Sequence, residues 1–192
     1  MITVGITGGI GSGKSVVSKI LASLNYSVFN SDTEAKKILD NHPQARQEII
    51  SYFGEESYSS NHLNRDFIAN RIFQDDKARL RINEIVHPLV RIAFNNFFKN
   101  KSDAIIFNEA AILFETGAHV NFDKVILVTA PEEIRINRVV SRDNISKSQV
   151  IDRMEKQWAD NKKIPLADFV IVNDEVNPLL IQVEQILENL SK

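Results

Sequence analysis

The chain has 192 residues, and its shares of hydrophobic (43%) and charged (25%) residues are those of an ordinary folded protein. Its 23 basic and 25 acidic residues give a formal net charge of −2, which excludes a broad positive field for nucleic acid. Because cysteine is absent, disulfides and thiolate metal sites are excluded as well.

The first predicted elements are a buried strand and a helix, joined by a glycine-rich loop. The apolar run at residues 2–7 predicts the strand. It is too short for a signal peptide or a membrane span, so we expect a cytoplasmic protein without a membrane partner. The loop at residues 8–15, GGIGSGKS, matches the phosphate-loop pattern G-x-x-x-x-G-K-[ST]. Apolar residues recur at helical spacing after Ser15, which places the motif where a nucleoside triphosphate site requires it.

The residue types of this loop suit phosphate chemistry. Glycines let the backbone curl until N–H groups point at a phosphate chain, and the following helix adds positive potential. Lys14 is predicted to reach the β- and γ-phosphates, and Ser15 to place its hydroxyl on Mg²⁺. We therefore predict ATP and Mg²⁺ as cofactors. The predicted nucleotide contacts are Gly8, Gly9, Ile10, Gly11, Ser12, Gly13, Lys14, Ser15 and Val16.

A short second strand at residues 27–29 leads to a candidate catalytic carboxylate, Asp32. Asp32 is expected beside the γ-phosphate, where a carboxylate can position an acceptor hydroxyl and accept its proton. It is also placed to cap a helix over residues 33–41, a role that Ser31 could serve instead. The position at a strand tip favours the chemical role.

The interval that follows is predicted to be helical, with helices over residues 33–41, 44–53, 65–73 and 76–98. The polar segment at 55–64 is predicted as a surface loop, and Pro88 predicts a kink or a break in the last helix. This interval is too long for one crossover connection between parallel strands. We therefore predict a helical subdomain at residues 33–102 that binds the acceptor, inserted into a nucleotide-binding core formed by residues 1–32 and 103–192.

Further strands are predicted by three apolar runs, at residues 104–109, 124–129 and 168–173. Such runs are typical of central parallel strands that are covered on both faces. Helices are predicted after Pro131, Ser146 and Pro178. The alternation predicts an α/β fold, a P-loop NTPase-like parallel sheet flanked by helices, with ligands at the carboxyl ends of the strands. Glu109, at one strand tip, is either a ligand of Mg²⁺ or substrate or a side chain turned to solvent.

A cationic stretch belongs to the predicted lid, which covers roughly residues 138–165. Its cations are Arg138, Arg142, Arg153, Lys162 and Lys163. Such groups can stabilise the charge that develops on a transferring phosphoryl group, although a solvated helix face explains each of them equally well. Arg138 is predicted to contact the substrate and Arg142 to take part in catalysis.

Some classes of phosphate-loop protein are disfavoured by missing motifs. The guanine-binding pattern N-K-x-D is absent, because Asn161-Lys162-Lys163 is followed by Ile164, and the switch pattern D-x-x-G is absent too. The four histidines show no metal-ligand spacing. A small-molecule kinase is therefore favoured. The acceptor could also be a nucleoside monophosphate or a sugar acid, and a regulatory ATP-binding protein is the alternative from another class.

With these motifs in place, the chain resembles the dephospho-CoA kinase family nearly end to end. The resemblance rests on the filling of the phosphate loop, Asp32, His87-Pro88-Leu89, Leu113-Phe114-Glu115, Arg142-Asp143 and residues 168–173. Family members transfer a phosphoryl group from ATP to the 3′-hydroxyl of dephospho-CoA, the last step of coenzyme A synthesis. They have a core, a helical CoA-binding domain and a lid, which corresponds to the partition predicted above.

The resemblance also implies roles for particular residues. It implies Asp32 as the catalytic base, Arg65 and His87 on the CoA side, Arg142 in the lid and Asn173 near the nucleotide base. It implies dephospho-CoA as the small-molecule partner, and we expect a monomer or a weak homo-oligomer. The chain departs from the family pattern in three places. Asn30 and Glu109 stand where the family commonly has Asp, and Ile164 and Leu166 occupy lid positions that are often basic.

Overall fold

A computed structural model describes residues 1–191, without the side chain of Gln74. Its strands are β1 (Ile2–Thr7), β2 (Ser27–Asn30), β3 (Tyr58–Ser59), β4 (His62–Leu63), β5 (Ile105–Glu109), β6 (Lys124–Thr129) and β7 (Phe169–Val172). Its α-helices are α1 (Lys14–Ser23), α2 (Ser31–Asn41), α3 (Pro43–Phe53), α4 (Arg65–Gln74), α5 (Asp76–Lys99), α6 (Glu132–Asp143), α7 (Lys147–Glu155), α8 (Asp160–Lys163) and α9 (Leu179–Leu190). Short 3₁₀ turns occur at Glu55–Ser57, Ala118–Asn121 and Ile164–Leu166.

The chain divides by its internal contacts into two units. The first comprises Met1–Phe29 and the chain from Lys101 onward, and the second comprises Asn30–Asn100. Each unit buries a hydrophobic core of its own. This division counts Asp32 with the helical unit, whereas the sequence-based partition counted it with the nucleotide-binding core.

The larger sheet has, within residues 1–191, five strands in the order β2-β5-β1-β6-β7. β1 pairs in parallel with β5 and with β6, and β6 pairs in parallel with β7. Helices α1 and α9 cover this sheet with the buried side chains of Val17, Leu21, Ile186 and Leu190. The predicted α/β fold with a parallel sheet is confirmed. Because these strands run the same way, the carboxyl end of β1, where the phosphate loop begins, lies at one edge with those of β5 and β6.

The prediction of central strands is right for β5 and β6 and wrong for β7, at which the described sheet ends. Val170 and Val172 on β7 are 38% and 39% exposed. The side-chain amide of Gln182, on α9, accepts a hydrogen bond from the Val172 N–H at 2.8 Å and donates one to its carbonyl at 2.9 Å. Gln182 therefore satisfies the N–H and the carbonyl of Val172, to which an additional strand could otherwise bind at this edge.

The helical unit packs α2, α3, α4 and α5 around a core that includes Ile38, Ile49, Ile68 and Ile85. The prediction of a polar surface loop over residues 55–64 is wrong. That segment forms the β3-β4 hairpin, in which Tyr58 and Leu63 are buried. The Tyr58 hydroxyl donates to the carbonyl of Leu39 at 2.6 Å. These two apolar side chains and the hydrogen bonds from Tyr58 and Leu63 to α2 hold the segment on the helices.

Helix α5 runs without a break from Asp76 to Lys99, with Pro88 inside it. A break at Pro88 was one of the two predicted outcomes, and the structure excludes it. The buried residues Ile85 and Val86 precede the proline, and their packing holds the helix where Pro88 removes a backbone donor. Among the described residues, no helix combines the length and the apolarity that a membrane span requires.

Candidate active site

The loop between β1 and α1 has the backbone conformation that its glycines allow. Gly11 and Gly13 have φ angles of +78° and +95°, a region that side-chain-bearing residues rarely adopt. The Lys14 ammonium folds back over the loop and donates to the carbonyl of Gly8 at 2.7 Å. Ser15 is exposed at the start of α1. The motif therefore presents a cation, a hydroxyl and a helix N-terminus together, as binding of a phosphate chain requires.

The carbonyl groups of the loop are held by side chains from distant parts of the first unit. Arg135 Nε donates to the carbonyl of Ile10 at 2.9 Å, and Asn173 Nδ2 donates to that of Ser12 at 2.8 Å. These bonds fix the carbonyl oxygens on protein donors. At the start of α1, the N–H groups of Val16 and Val17 donate to the carbonyl of Gly13 at 2.9 and 3.3 Å, and the positive end of the helix dipole there favours an anion.

The polar groups near the loop fit a nucleotide accompanied by Mg²⁺. The hydroxyls of Thr7 and Ser12 are buried and make no hydrogen bond among the described residues. Within the same residues, no three His, Asp or Glu side chains form a cluster able to hold a metal ion by themselves. Mg²⁺ prefers oxygen ligands and keeps several waters or phosphate oxygens. The exposed hydroxyl of Ser15 suits a metal that arrives with ATP phosphates.

Glu109 ends β5 and is 6% exposed. It lies opposite Ile6 in the parallel register, so it stands at the end of the sheet where β1 leads into the loop. The interpretation of Glu109 as a side chain turned to solvent is therefore wrong. A buried carboxylate at this edge keeps its candidacy as a ligand of Mg²⁺ or substrate.

Arg138 and Asn173 brace the loop from the side of α6 and β7. Arg138 donates to the Asn173 side-chain oxygen at 3.2 Å and forms an ion pair with Glu175 at 3.0 Å. Because Asn173 also donates to Ser12, both polar atoms of its side chain bind protein groups. Arg138 is thus more than a solvated cation, and it also donates to the carbonyl of Gly11 in the loop at 3.4 Å. Its contact with the substrate stays a prediction.

Arg142 lies at the end of α6 and does not contact the loop. Its guanidinium makes two hydrogen bonds to Asp143, at 2.7 and 3.2 Å, and Arg153 binds the same carboxylate at 3.0 Å. These hydrogen bonds, that of Arg142 first, lower the pKa of Asp143. Lys163 is different, because it is fully buried and pairs with Glu115 at 2.7 Å. A solvated helix face is therefore the wrong interpretation of Lys163.

In the helical unit, Asp32 lies in the first turn of α2 and is exposed. The helix is capped by Asn30, whose side-chain oxygen accepts from the N–H of Thr33 at 2.7 Å. The alternative in which Asp32 or Ser31 is the N-cap is therefore wrong. Among the described residues, no hydrogen bond or ion pair occupies the Asp32 carboxylate, which is available for chemistry.

The two residues assigned to the CoA side lie on α4 and α5 of the same unit. Arg65 forms an ion pair with Asp40 at 2.7 Å, and Asp40 also accepts from the N–H of Leu63 at 3.2 Å. Burial, and next the charge of Arg91, lower the pKa of His87. His87 is thus a neutral imidazole at pH 7, suited to hydrogen bonding and not to charge pairing.

Sequence reasoning assigned no role to two residues whose side chains bind the loop, Arg135 and Gln157. Arg135 was not singled out, yet its side chain is only 10% exposed and binds both Ile10 and Asp160. Gln157 accepts from the N–H of Ile10 at 2.8 Å. One signal was present, because Arg135 lies four positions before the buried Val139 and so interrupts the apolar stripe of α6.

Comparison with known proteins relates the sequence of this chain to one family. The family model of dephospho-CoA kinase matches residues 2–178. A dephospho-CoA kinase of Bacteroides fragilis is 40% identical over 187 residues, covering 97% of this chain and 91% of the relative.

Two solved structures extend the similarity to three dimensions. A protein of Thermus thermophilus has a TM-score of 0.85 at 30% identity, covering 99% of this chain and 96% of that one. Dephospho-CoA kinase from Campylobacter jejuni has a TM-score of 0.69 at 26% identity, covering 98% of this chain and 96% of that one. The likeness therefore includes both units and the loop.

Proposed function

The chain belongs to the dephospho-CoA kinase family, and from this premise we propose how its residues carry out the family's reaction. That reaction moves the γ-phosphoryl group of ATP to the 3′-hydroxyl of dephospho-CoA, giving coenzyme A and ADP. The observation that carries the proposal is the phosphate loop, with Lys14 folded over it and its carbonyl groups held by Arg135 and Asn173. A full-length relationship to kinases of one acceptor selects dephospho-CoA from the candidate acceptors.

The phosphates of ATP bind at residues 8–16 in this proposal. The N–H groups at the start of α1 donate to phosphate oxygens, and the Lys14 ammonium moves from the carbonyl of Gly8 to the β- and γ-phosphates. Ser15, with Glu109 near the same strand ends, would hold Mg²⁺, which neutralises charge on those phosphates. Asn173 lies on the nucleotide side, where it keeps the loop in shape through Ser12.

Asp32 serves as the base. The 3′-oxygen forms its bond to the γ-phosphorus while the bond from that phosphorus to the bridging oxygen of ADP breaks. The hydroxyl proton passes to the Asp32 carboxylate, and the departing electron pair stays on ADP. Two observations support Asp32 in this role: the carboxylate is exposed, and Asn30 relieves it of capping α2.

The cations divide the remaining tasks. Arg142 stabilises charge on the transferring phosphoryl group. Its side chain is exposed, and among the described residues its guanidinium donates hydrogen bonds only to Asp143. Arg138 supports the phosphates from the loop side. Arg65 meets anionic groups of the acceptor, whereas the neutral His87 donates or accepts hydrogen bonds there.

The test is ATP turnover measured in parallel with dephospho-CoA, adenosine, AMP and gluconate. We expect turnover with dephospho-CoA at a rate far above that with any other acceptor. Turnover with one of the other three alone would overturn the acceptor. ATP binding without turnover on any of them would favour the regulatory protein.

A further inference from the structure

Arg135 is a buried cation to which the proposed reaction assigns no contact with a substrate. Its guanidinium projects from α6, and only 10% of the side chain is exposed. Nε donates to the carbonyl of Ile10 at 2.9 Å, and Nη1 pairs with Asp160 at 3.3 Å. Burying a charge is costly unless partners compensate it. The two partners therefore define where this guanidinium can lie.

The glycines of the phosphate loop are fitted to Arg135. A Cβ atom at Gly9 would collide with the Arg135 guanidinium. At Gly11, a Cβ atom would lie 2.5 Å from the backbone carbonyl oxygen of the same arginine. The loop thus packs against Arg135 at two glycines, once against its side chain and once against its backbone.

The peptide groups of Ile10 are held from both sides. Gln157, two residues after α7, accepts from the N–H of Ile10 at 2.8 Å, while Arg135 donates to its carbonyl. The Ile10 side chain packs beside Val139 and Val150, from α6 and α7. We call Arg135, Gln157 and Asp160 the Ile10 clasp. Asp160 begins α8, so the clasp joins the loop to the segment that carries α7 and α8.

We propose that Arg135 is a positioning residue for the polyphosphate of the nucleotide and acts through Ile10 without touching the ligand. A peptide group in a glycine-rich loop can rotate at little steric cost, and rotation would aim a carbonyl oxygen at the phosphates. Arg135 opposes that rotation because its donor fixes the Ile10 carbonyl, and Asp160 keeps the donor in place. The inference rests on the proposed binding of ATP phosphates at this loop.

The experiment compares Arg135→Met, Arg135→Lys and Asp160→Asn with the full wild-type chain. ADP affinity is measured by calorimetry, and the KM for ATP, the KM for dephospho-CoA, kcat and Tm are measured on the same preparations. Arg135→Met fills a similar volume without a donor, and we expect it to weaken ADP binding roughly 10- to 100-fold, the effect of losing a charged hydrogen bond. The KM for dephospho-CoA should change less than about twofold, because the loss is confined to the phosphate loop.

Arg135→Lys and Asp160→Asn should give intermediate losses of ADP affinity. Asp160→Asn leaves the Arg135 donor present but removes the charge that keeps it in place. Arg135→Lys retains the charge and a single donor nitrogen in place of the planar guanidinium, so it should restore part of the ADP affinity that Arg135→Met loses. Lys124→Gln is the matched control, because it removes an ion pair of 2.9 Å with Asp168 in the same unit but away from the loop. It should alter Tm alone.

Particular outcomes would overturn the inference. ADP affinity within about twofold of wild type in Arg135→Met, with a lowered Tm, would show a merely structural residue. If Arg135→Met does not fold, unchanged ADP affinity in both Arg135→Lys and Asp160→Asn would overturn it equally. Absence of ADP binding by the wild-type chain would instead overturn the proposed nucleotide site, and this inference with it.

Discussion

Asp32 and Asn30 lie two residues apart, and the structure gives them different tasks. Asn30 accepts from the Thr33 N–H and begins α2, whereas Asp32 carries an exposed carboxylate in the first turn. Sequence alone allowed either role for Asp32, because Asp is a good N-cap. The observed cap removes the capping role from Asp32, and the structural effect left to its carboxylate is its interaction with the dipole of α2 in the first turn.

Replacing Asp32 by Asn tests the catalytic role directly. Asp32→Asn should lower kcat by roughly 10²–10⁴, the range for loss of a general base, while binding of both substrates changes only a few-fold. Steady-state kinetics beside a thermal melt measure both effects. Asp66→Asn is the matched control, since Asp66 holds the same position in the first turn of α4 after the cap Asn64. A fall in kcat that Asp66→Asn reproduces, or a normal kcat in Asp32→Asn, would refute the base.

Arg142 offers a second test at a single side chain. Arg142→Lys keeps the charge but loses the planar fork, which binds Asp143 in two places in the structure. Because the same fork is proposed to stabilise charge on the transferring phosphoryl group, kcat should fall roughly 10- to 100-fold. Arg153→Lys is the control, because Arg153 binds the same carboxylate with a single hydrogen bond. Equal rates for wild type and Arg142→Lys in the ATP-dependent assay would remove Arg142 from catalysis.

The N-terminus of α2 is capped by the side chain of Asn30. Asn30→Ala removes the cap and should cost about 1 kcal/mol of unfolding free energy in denaturant titration. Asn30→Asp should cost much less, because Asp caps about as well as Asn. If Asn30→Asp loses as much as Asn30→Ala, the amide group matters for a reason other than capping.

The start of β1 is joined to the start of β6 by Asp123. Its carboxylate accepts from the N–H of Thr3 at 2.7 Å and from its hydroxyl at 2.8 Å, and these bonds lower the pKa of Asp123. A carboxyl group with a lowered folded-state pKa adds stability above its ordinary range, and that stability is lost as pH falls through the lowered pKa.

Thermal melts from about pH 7 to about pH 2 measure this contribution in Asp123→Asn and in wild type, because the loss begins near the ordinary Asp pKa of about 4 and continues below it. The variant should melt lower at neutral pH, and the difference should shrink as pH falls. Subtracting the two curves removes the titration of every other carboxyl group. A difference that stays constant with pH would show that the charge of Asp123 is irrelevant.

The elements also show what sequence could reveal. The phosphate loop, the parallel strands and the helices α6, α7 and α9 follow from local patterns, and the structure bears them out, whereas the short helix α8 was not predicted. The edge position of β7 does not, since a run of apolar residues looks the same wherever the strand stands in the sheet. The β3-β4 hairpin was not predicted, because only two of its hydrophobic residues, Tyr58 and Leu63, are buried and they form no recognisable pattern.

The site shows the same limit at long range. Arg135 and Gln157 are separated from Ile10 by 125 and 147 residues in the sequence, so no local pattern predicts their bonds to it. A charged residue on the apolar stripe of α6 was the one readable sign. The resemblance to a family supplied the acceptor, which the physics of a phosphate loop leaves open.

For the whole molecule, a net charge of −2 means that polyanionic substrates depend on local cations and not on a general field. The loop cation Lys14 and the helical-unit cation Arg65 belong to different units. Substitutions of cations in the first unit are therefore expected to change mainly the binding of ATP, and those in the helical unit mainly the binding of dephospho-CoA.

The fate of the phosphoryl group itself decides whether the proposed reaction takes place. The full chain is incubated with ATP, Mg²⁺ and dephospho-CoA, and phosphorus NMR follows ADP and the new phosphate ester, beside Lys14→Ala as a folded control checked by its melt. We expect one ADP for each 3′-phosphate formed by the wild-type chain, and loss of that turnover in Lys14→Ala, because the ammonium over the loop is proposed to bind the phosphates. ADP released without a 3′-phosphate, or near wild-type transfer by Lys14→Ala, would overturn the proposed reaction.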